Sequence, residues 1–104
     1  MAQLCVSAIT QGELLHGLAR KPGATNLQTA VRAFLSRVDV LAWDGAAAER
    51  YGTLRAALEA SGTPLGNLDT LIAAHALAVE AVLVTNDMAF ARVPALVVEN
   101  WVAP

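Results

Sequence analysis

The run Ala81-Val82-Leu83-Val84-Thr85 constrains the fold most, because it is a continuous apolar and β-branched segment with no polar alternation. Such a segment reads as a strand buried on both faces, which is the habit of parallel sheets covered by helices. The rest of the chain supplies those helices. Leu4 to Ile9 is short, apolar and β-branched, and runs into a helix over about Thr10 to Arg20 that Lys21-Pro22-Gly23 stops. A second helix from about Asn26 to Ser36 carries Leu27, Ala30, Val31, Phe34 and Leu35 at helical spacing. Val38, Val40 and Leu41 then alternate with Asp39 as a half-buried strand would. Asp44 caps an alanine-rich helix reaching about Ala60, Ser61 to Gly66 form a turn, and Asn67 starts a helix to about Val79. A last strand is expected over Leu96 to Trp101. Strands alternating with helices imply an α/β fold with a parallel sheet and helices on both faces.

A chain of 104 residues is sized for a single domain, and a second domain is excluded. The charged fraction of 15% is low against the roughly 25% usual for soluble domains. With a net charge of −2, no broad basic field advertises a nucleic-acid partner, so any such contact must be local. Cys5 has no second cysteine to pair with, and Leu4 and Val6 beside it suggest a buried thiol in a reducing, cytoplasmic setting. The apolar stretch from Leu71 to Val84 is broken by His75 and Glu80 and falls short of the roughly 20 residues of a membrane span. The start of the chain lacks the pattern of a signal peptide.

Three acids stand where strands and helices exchange: Glu13 in SAITQGELLHG, Asp69 in PLGNLDTLIAAHALA and Asp87 in AVLVTNDMAF. The helix that begins at Asn67 should be roughly 20 Å long, and the strand after it about 17 Å. Running antiparallel, they set Asp69 beside the strand end that leads into Asp87. Glu13, in the first turn of a helix after another parallel strand, would share that carboxyl edge of a single sheet, where open α/β folds bind ligands. Carboxylates about 5 Å apart repel by roughly 3 kcal/mol per pair at an effective dielectric of about 20, which a divalent cation would offset. Hard oxygen donors without Cys or His pairs select Mg²⁺ or Mn²⁺, ions suited to phosphate chemistry. Each acid also has a purely structural reading. Thr10 and Glu13 form a capping box, Asp69 is a helix-start acid, and Asp87 is a turn residue helped by Thr85 and Asn86. His75 reads as a packed helix residue and His16 as a partly exposed structural one. Arg20, Lys21, Arg50, Arg55 and Arg92 read as solvated or capping residues, and Trp43 and Trp101 as packing residues.

SAITQGEL, PLGNLDTLIAAHALA, LVTNDMAFARV and LVVENW, with the long helix RYGTLRAALEASG before the second motif, resemble the VapC-type PIN-domain toxins in order and spacing over nearly the whole chain. The resemblance implies a three-layer α/β/α PIN-like fold over residues 1–104. It also implies a Mg²⁺- or Mn²⁺-dependent endoribonuclease that hydrolyses RNA phosphodiesters and is neutralised by a cognate antitoxin, with a homodimer as a family expectation. Carried over, Glu13, Asp69 and Asp87 are the metal-site acids, while Thr85 and Asn86 orient a metal-bound water or Asp87. One departure from the family pattern stands out. The family's first strand, central in its sheet and ending in an LDTN-like motif with a principal metal-binding Asp, has no counterpart here. The domain is therefore expected to be N-terminally truncated, through a start assigned inside a longer chain or as a remnant. The alternative function is an inactive PIN remnant that binds an antitoxin or an intact toxin protomer.

Overall fold

A computed structural model describes residues 4–100. The chain divides into two compact units, Met1–Trp43 and Asp44–Pro104. In the first, β1 (Cys5–Ser7) leads into α1 (Ala8–Arg20), followed by α2 (Thr25–Arg37) and β2 (Asp39–Leu41). Ser7 ends the strand and caps the helix: its hydroxyl accepts from the Ile9 N–H at 3.1 Å. Helix α1 thus begins before Thr10, and the expected Thr10–Glu13 capping box does not form. Two serine or threonine caps compete at this boundary, and the one adjoining the strand prevails. At the other end, the Gln28 side chain donates to the carbonyls of Leu18 and Lys21, at 3.0 and 3.3 Å. It thereby satisfies carbonyls that the last turn of α1 leaves open and pins the start of α2 against them.

β1 and β2 pair in parallel with Cys5 opposite Asp39, Val6 opposite Val40 and Ser7 opposite Leu41. Among the described residues of this unit only Leu18 is buried. Cys5 is exposed, which corrects the expectation of a buried thiol. Apolar neighbours in sequence do not bury a side chain on so short a strand pair.

The second unit holds α3 (Gly45–Ala60), α4 (Asn67–Ala78), β3 (Leu83–Val84), the 3₁₀ segment η1 (Met88–Arg92) and β4 (Val98–Glu99). Asp44 caps α3 as expected, its carboxylate accepting from Ala47 N–H at 3.1 Å. Leu54 and Leu58 of α3, Ala73 and Ala74 of α4, Phe90 of η1 and Val93 form the core. Ala73 and Ala74 are fully buried in this core, and His75 beside them in α4 is also buried, as a packed residue would be. Helix α4 closes with paired bonds from Glu80 N–H to Leu77 and from Ala81 N–H to Ala76, with Glu80 in the left-handed region at φ 55°. This is a Schellman stop that turns the chain back toward β3.

β3 and β4 pair in parallel through Leu83–Val98 and Val84–Glu99. The α/β architecture with parallel strands agrees with the sequence expectation, but the strands are shorter than expected. They form two separate two-stranded sheets rather than one. Val82 and Val84 are 46% and 40% exposed, so this strand is not buried on both faces. No strand among the described residues bridges the two pairs, and a strand with one neighbour keeps one edge and part of its surface open. Trp101, expected to pack at the end of the last strand, lies outside the described residues.

Candidate functional site

Of the three acids, Glu13 belongs to the first unit, and Asp69 and Asp87 to the second. Glu13 sits in the second turn of α1, exposed, and makes no hydrogen bond or ion pair with another described residue. With Ser7 as the cap, Glu13 has no capping duty to explain it. Asp69 occupies the first turn of α4, half-buried, and likewise makes no hydrogen bond or ion pair with another described residue. Its carboxylate lies over the start of the helix, 3.9 Å from where a Cβ on Gly66 would stand. The helix dipole there favours the ionised form of an acid. The threonine beside it takes the local bond instead: Thr70 Oγ1 donates to the Gly66 carbonyl at 2.8 Å.

Asp87 is partly committed. It caps η1 by accepting from Ala89 N–H at 2.9 Å through Oδ1, and its own N–H donates to Thr85 Oγ1 at 3.1 Å. The turn reading of Asp87 and Thr85 is therefore realised, and Oδ2 keeps its capacity to accept. Asn86 is exposed and makes no hydrogen bond with a described residue. The segment carrying Asp87 is tied to the one leading to Asp69 by a contact the sequence did not signal. Arg92, at the end of η1, donates to the Pro64 carbonyl in the turn before α4, at 3.2 Å. Arg92 thus makes a long-range bond that the solvated or capping reading did not include. A 3₁₀ segment of five residues has no hydrophobic period by which sequence could reveal it.

Among the described residues, no group of three His, Cys, Asp or Glu side chains that could hold a metal ion is formed. The expected convergence on one rim rested on a single sheet and on a five-residue strand matched to α4, and neither is present. Among the described residues the carboxylate oxygens of Glu13 and Asp69, and one of Asp87, accept no hydrogen bond, and carboxylate oxygens are hard donors.

The PIN-domain family model matches residues 1–96. The chain belongs to the PIN-domain family. Within it, the relatives are of the VapC type. The domain is 38% identical over 99 residues to ribonuclease VapC2 of Rickettsia felis, covering 94% of this chain and 74% of that one. It is also 38% identical over 101 residues to the tRNA(fMet)-specific endonuclease VapC of Salmonella typhimurium, covering 96% of this chain and 76% of the relative. Its fold matches the crystal structure of Rickettsia felis VapBC2 bound to a DNA fragment from the promoter, with a TM-score of 0.89 at 38% identity over 95% of this chain and 75% of that one. It matches DNA-bound VapBC from Salmonella typhimurium with a TM-score of 0.87 at 39% identity, over 93% and 74% of the two chains. PIN-domain ribonucleases are in general divalent-metal dependent. No helix among the described residues of this PIN domain is long and apolar enough to cross a membrane.

Proposed function

We propose that this PIN domain is a Mg²⁺- or Mn²⁺-dependent endoribonuclease, the toxin of a toxin–antitoxin pair, acting in the cytoplasm and neutralised by a cognate antitoxin. Glu13, Asp69 and Asp87 would hold the ion. The observation that carries this assignment is that the Glu13 and Asp69 carboxylates make no hydrogen bond or ion pair with another described residue. The VapC relatives, named as ribonucleases or endonucleases and crystallised as VapBC complexes, support the activity and the partner. The family match over residues 1–96 runs through both units, which supports reading them as parts of one domain.

When bound, a divalent ion supplies a water of lowered pKa and neutralises charge building on the phosphoryl oxygens. The chain's own contribution is to keep acceptors ready. The α4 dipole favours an ionised Asp69, and the Thr85 and Ala89 bonds hold the Asp87 backbone and one oxygen so that the other is presented in a fixed orientation. Asn86, exposed beside them, would help to orient Asp87 or an attacking water.

The decisive experiment compares cleavage of a labelled RNA by purified wild type, Glu13→Gln and Asp69→Asn, each with Mg²⁺. Cleavage should require the metal and vanish in both variants; activity that persists in both defeats the assignment. A second reading, an inactive PIN domain that binds an antitoxin or an intact toxin protomer, is favoured by the lack of a three-acid group among the described residues. It predicts co-purification with either protein and no metal-dependent cleavage, and failure to co-purify counts against it.

A further inference from the structure

Helices α1 and α2 line a shallow cleft of about 340 Å³, open to solvent, within the first unit. Its floor is aliphatic, with Leu14 and Leu18 from α1 facing Leu27 and Val31 from α2. Glu13 stands at one end of the lining, Arg20 and Lys21 at the other, and Gly17 between them. Seven residues of helix separate Glu13 from Arg20, about 10 Å. Neither cation has an ion pair or a side-chain hydrogen bond among the described residues. Nothing lies within 4 Å of a Cβ built on Gly17, so the glycine leaves the middle of the cleft open. The hairpin is held in shape by Gln28, which bonds the Leu18 and Lys21 carbonyls and so keeps the cationic end in place.

We propose that this cleft is an RNA subsite in which Arg20 and Lys21 take a backbone phosphate near the one being cut, while the aliphatic floor takes the adjoining base or ribose. The inference rests on the nuclease reading above. Three features favour a nucleotide. Two unpaired cations are complementary to phosphate, where a neutral ligand would leave them idle. The volume lies at the small end of the roughly 300–1,000 Å³ typical of small-ligand sites, the scale of a nucleotide. One end of the same lining carries a candidate metal acid. The chain's net charge of −2 gives no general attraction for RNA, so affinity must come from a local pair of this kind. An aliphatic floor without aromatic rings or polar groups would grip a base with little regard to its identity, so the subsite should position the strand rather than read it.

The test uses the whole chain and a fluorescein-labelled single-stranded RNA of about 16 nucleotides, the upper range for small single-strand-binding modules. Binding is followed by anisotropy in EDTA at several salt concentrations, and cleavage kinetics with Mg²⁺ are measured in parallel. Removing the contact to one phosphate lowers the salt slope by about 0.7, so R20Q/K21Q should lower it by about that much and weaken binding roughly fourfold near 0.15 M salt. The KM should rise by a similar factor with kcat little changed. Gly17→Leu, whose backbone has space for the side chain, should raise KM with the salt slope unaltered, and it keeps the test open if the charge variant fails to fold. Wild-type KM and slope in R20Q/K21Q, or a wild-type KM in Gly17→Leu, overturns the subsite. So does loss of antitoxin binding with RNA binding intact, which would assign the cleft to a protein partner. The two readings separate cleanly: metal-dependent cleavage with an indifferent cleft removes only the subsite. RNA binding with the expected slope but no cleavage supports the subsite and removes the nuclease.

Discussion

Asp87 offers the sharpest separation of structure from chemistry, because one oxygen caps η1 while the other is the proposed metal ligand. Asp87→Asn keeps an oxygen acceptor for Ala89 N–H and removes the charge, whereas Asp87→Ala removes both. Asparagine and aspartate are near-equal caps, so the asparagine variant should change stability by no more than about 0.5 kcal/mol. Alanine should cost about 1 kcal/mol, or roughly 4–8 °C in Tm for a chain near this size. The catalytic consequence should be the same for both. If an ion held by three carboxylates contributes about 3 kcal/mol to the transition state, loss of one ligand can remove most of it, a fall of roughly 10²-fold in rate. Circular dichroism melts and cleavage of a labelled RNA with Mg²⁺, measured on the same preparations, read the two effects apart. An asparagine variant with wild-type Tm and wild-type cleavage would reduce Asp87 to a cap and refute its place in the metal site.

Two further outcomes follow from the same geometry. Mg²⁺ at about 100 times its Kd should stabilise the wild type by roughly 2.7 kcal/mol, visible as a rise in Tm that disappears in Asp69→Asn; a wild type indifferent to saturating Mg²⁺ would count against a resident ion. Glu80→Gly relieves a left-handed conformation that costs a non-glycine residue about 1–2 kcal/mol, partly offset by the added freedom of the unfolded chain, so Tm should rise slightly. A fall in Tm would mean that the Glu80 turn is not strained.

The helices were legible because their signals are local. Asp44 before an alanine-rich run marked the start of α3, and the Ser61-to-Gly66 turn before Asn67 marked α4, both as found. The strands were not, because a strand is defined by a neighbour's backbone and not by its own side chains. Ala81 to Thr85 has the composition of a fully buried strand, yet only Leu83 and Val84 find a partner, in β4. Composition could say that this segment prefers extended backbone; it could not say how much edge would be paired or which face covered. The same limit applies to the matched-length argument that set Asp69 beside Asp87, which counted a five-residue strand where only Leu83 and Val84 pair.

Helix caps decide how much of the candidate site a sequence can disclose. Thr10 and Ser7 are both competent caps three residues apart, and choosing Thr10 made Glu13 look structurally employed. With Ser7 capping α1, Glu13 moves to the second turn, where the backbone N–H groups already have helical partners and a carboxylate has no orphan donor to serve. The shift strengthens the functional reading of Glu13 without a change in residue or in its position along the chain. Asp87 moves the other way. An unforeseen 3₁₀ turn gives it a capping bond, so its structural and chemical readings hold together, one on each oxygen. Asp69 stands between these cases, in a first turn whose threonine takes the local bond and leaves the acid unpaired. An acid near a helix start is evidence for a ligand only after the cap has been assigned, and a misplacement of three residues is enough to reverse the inference.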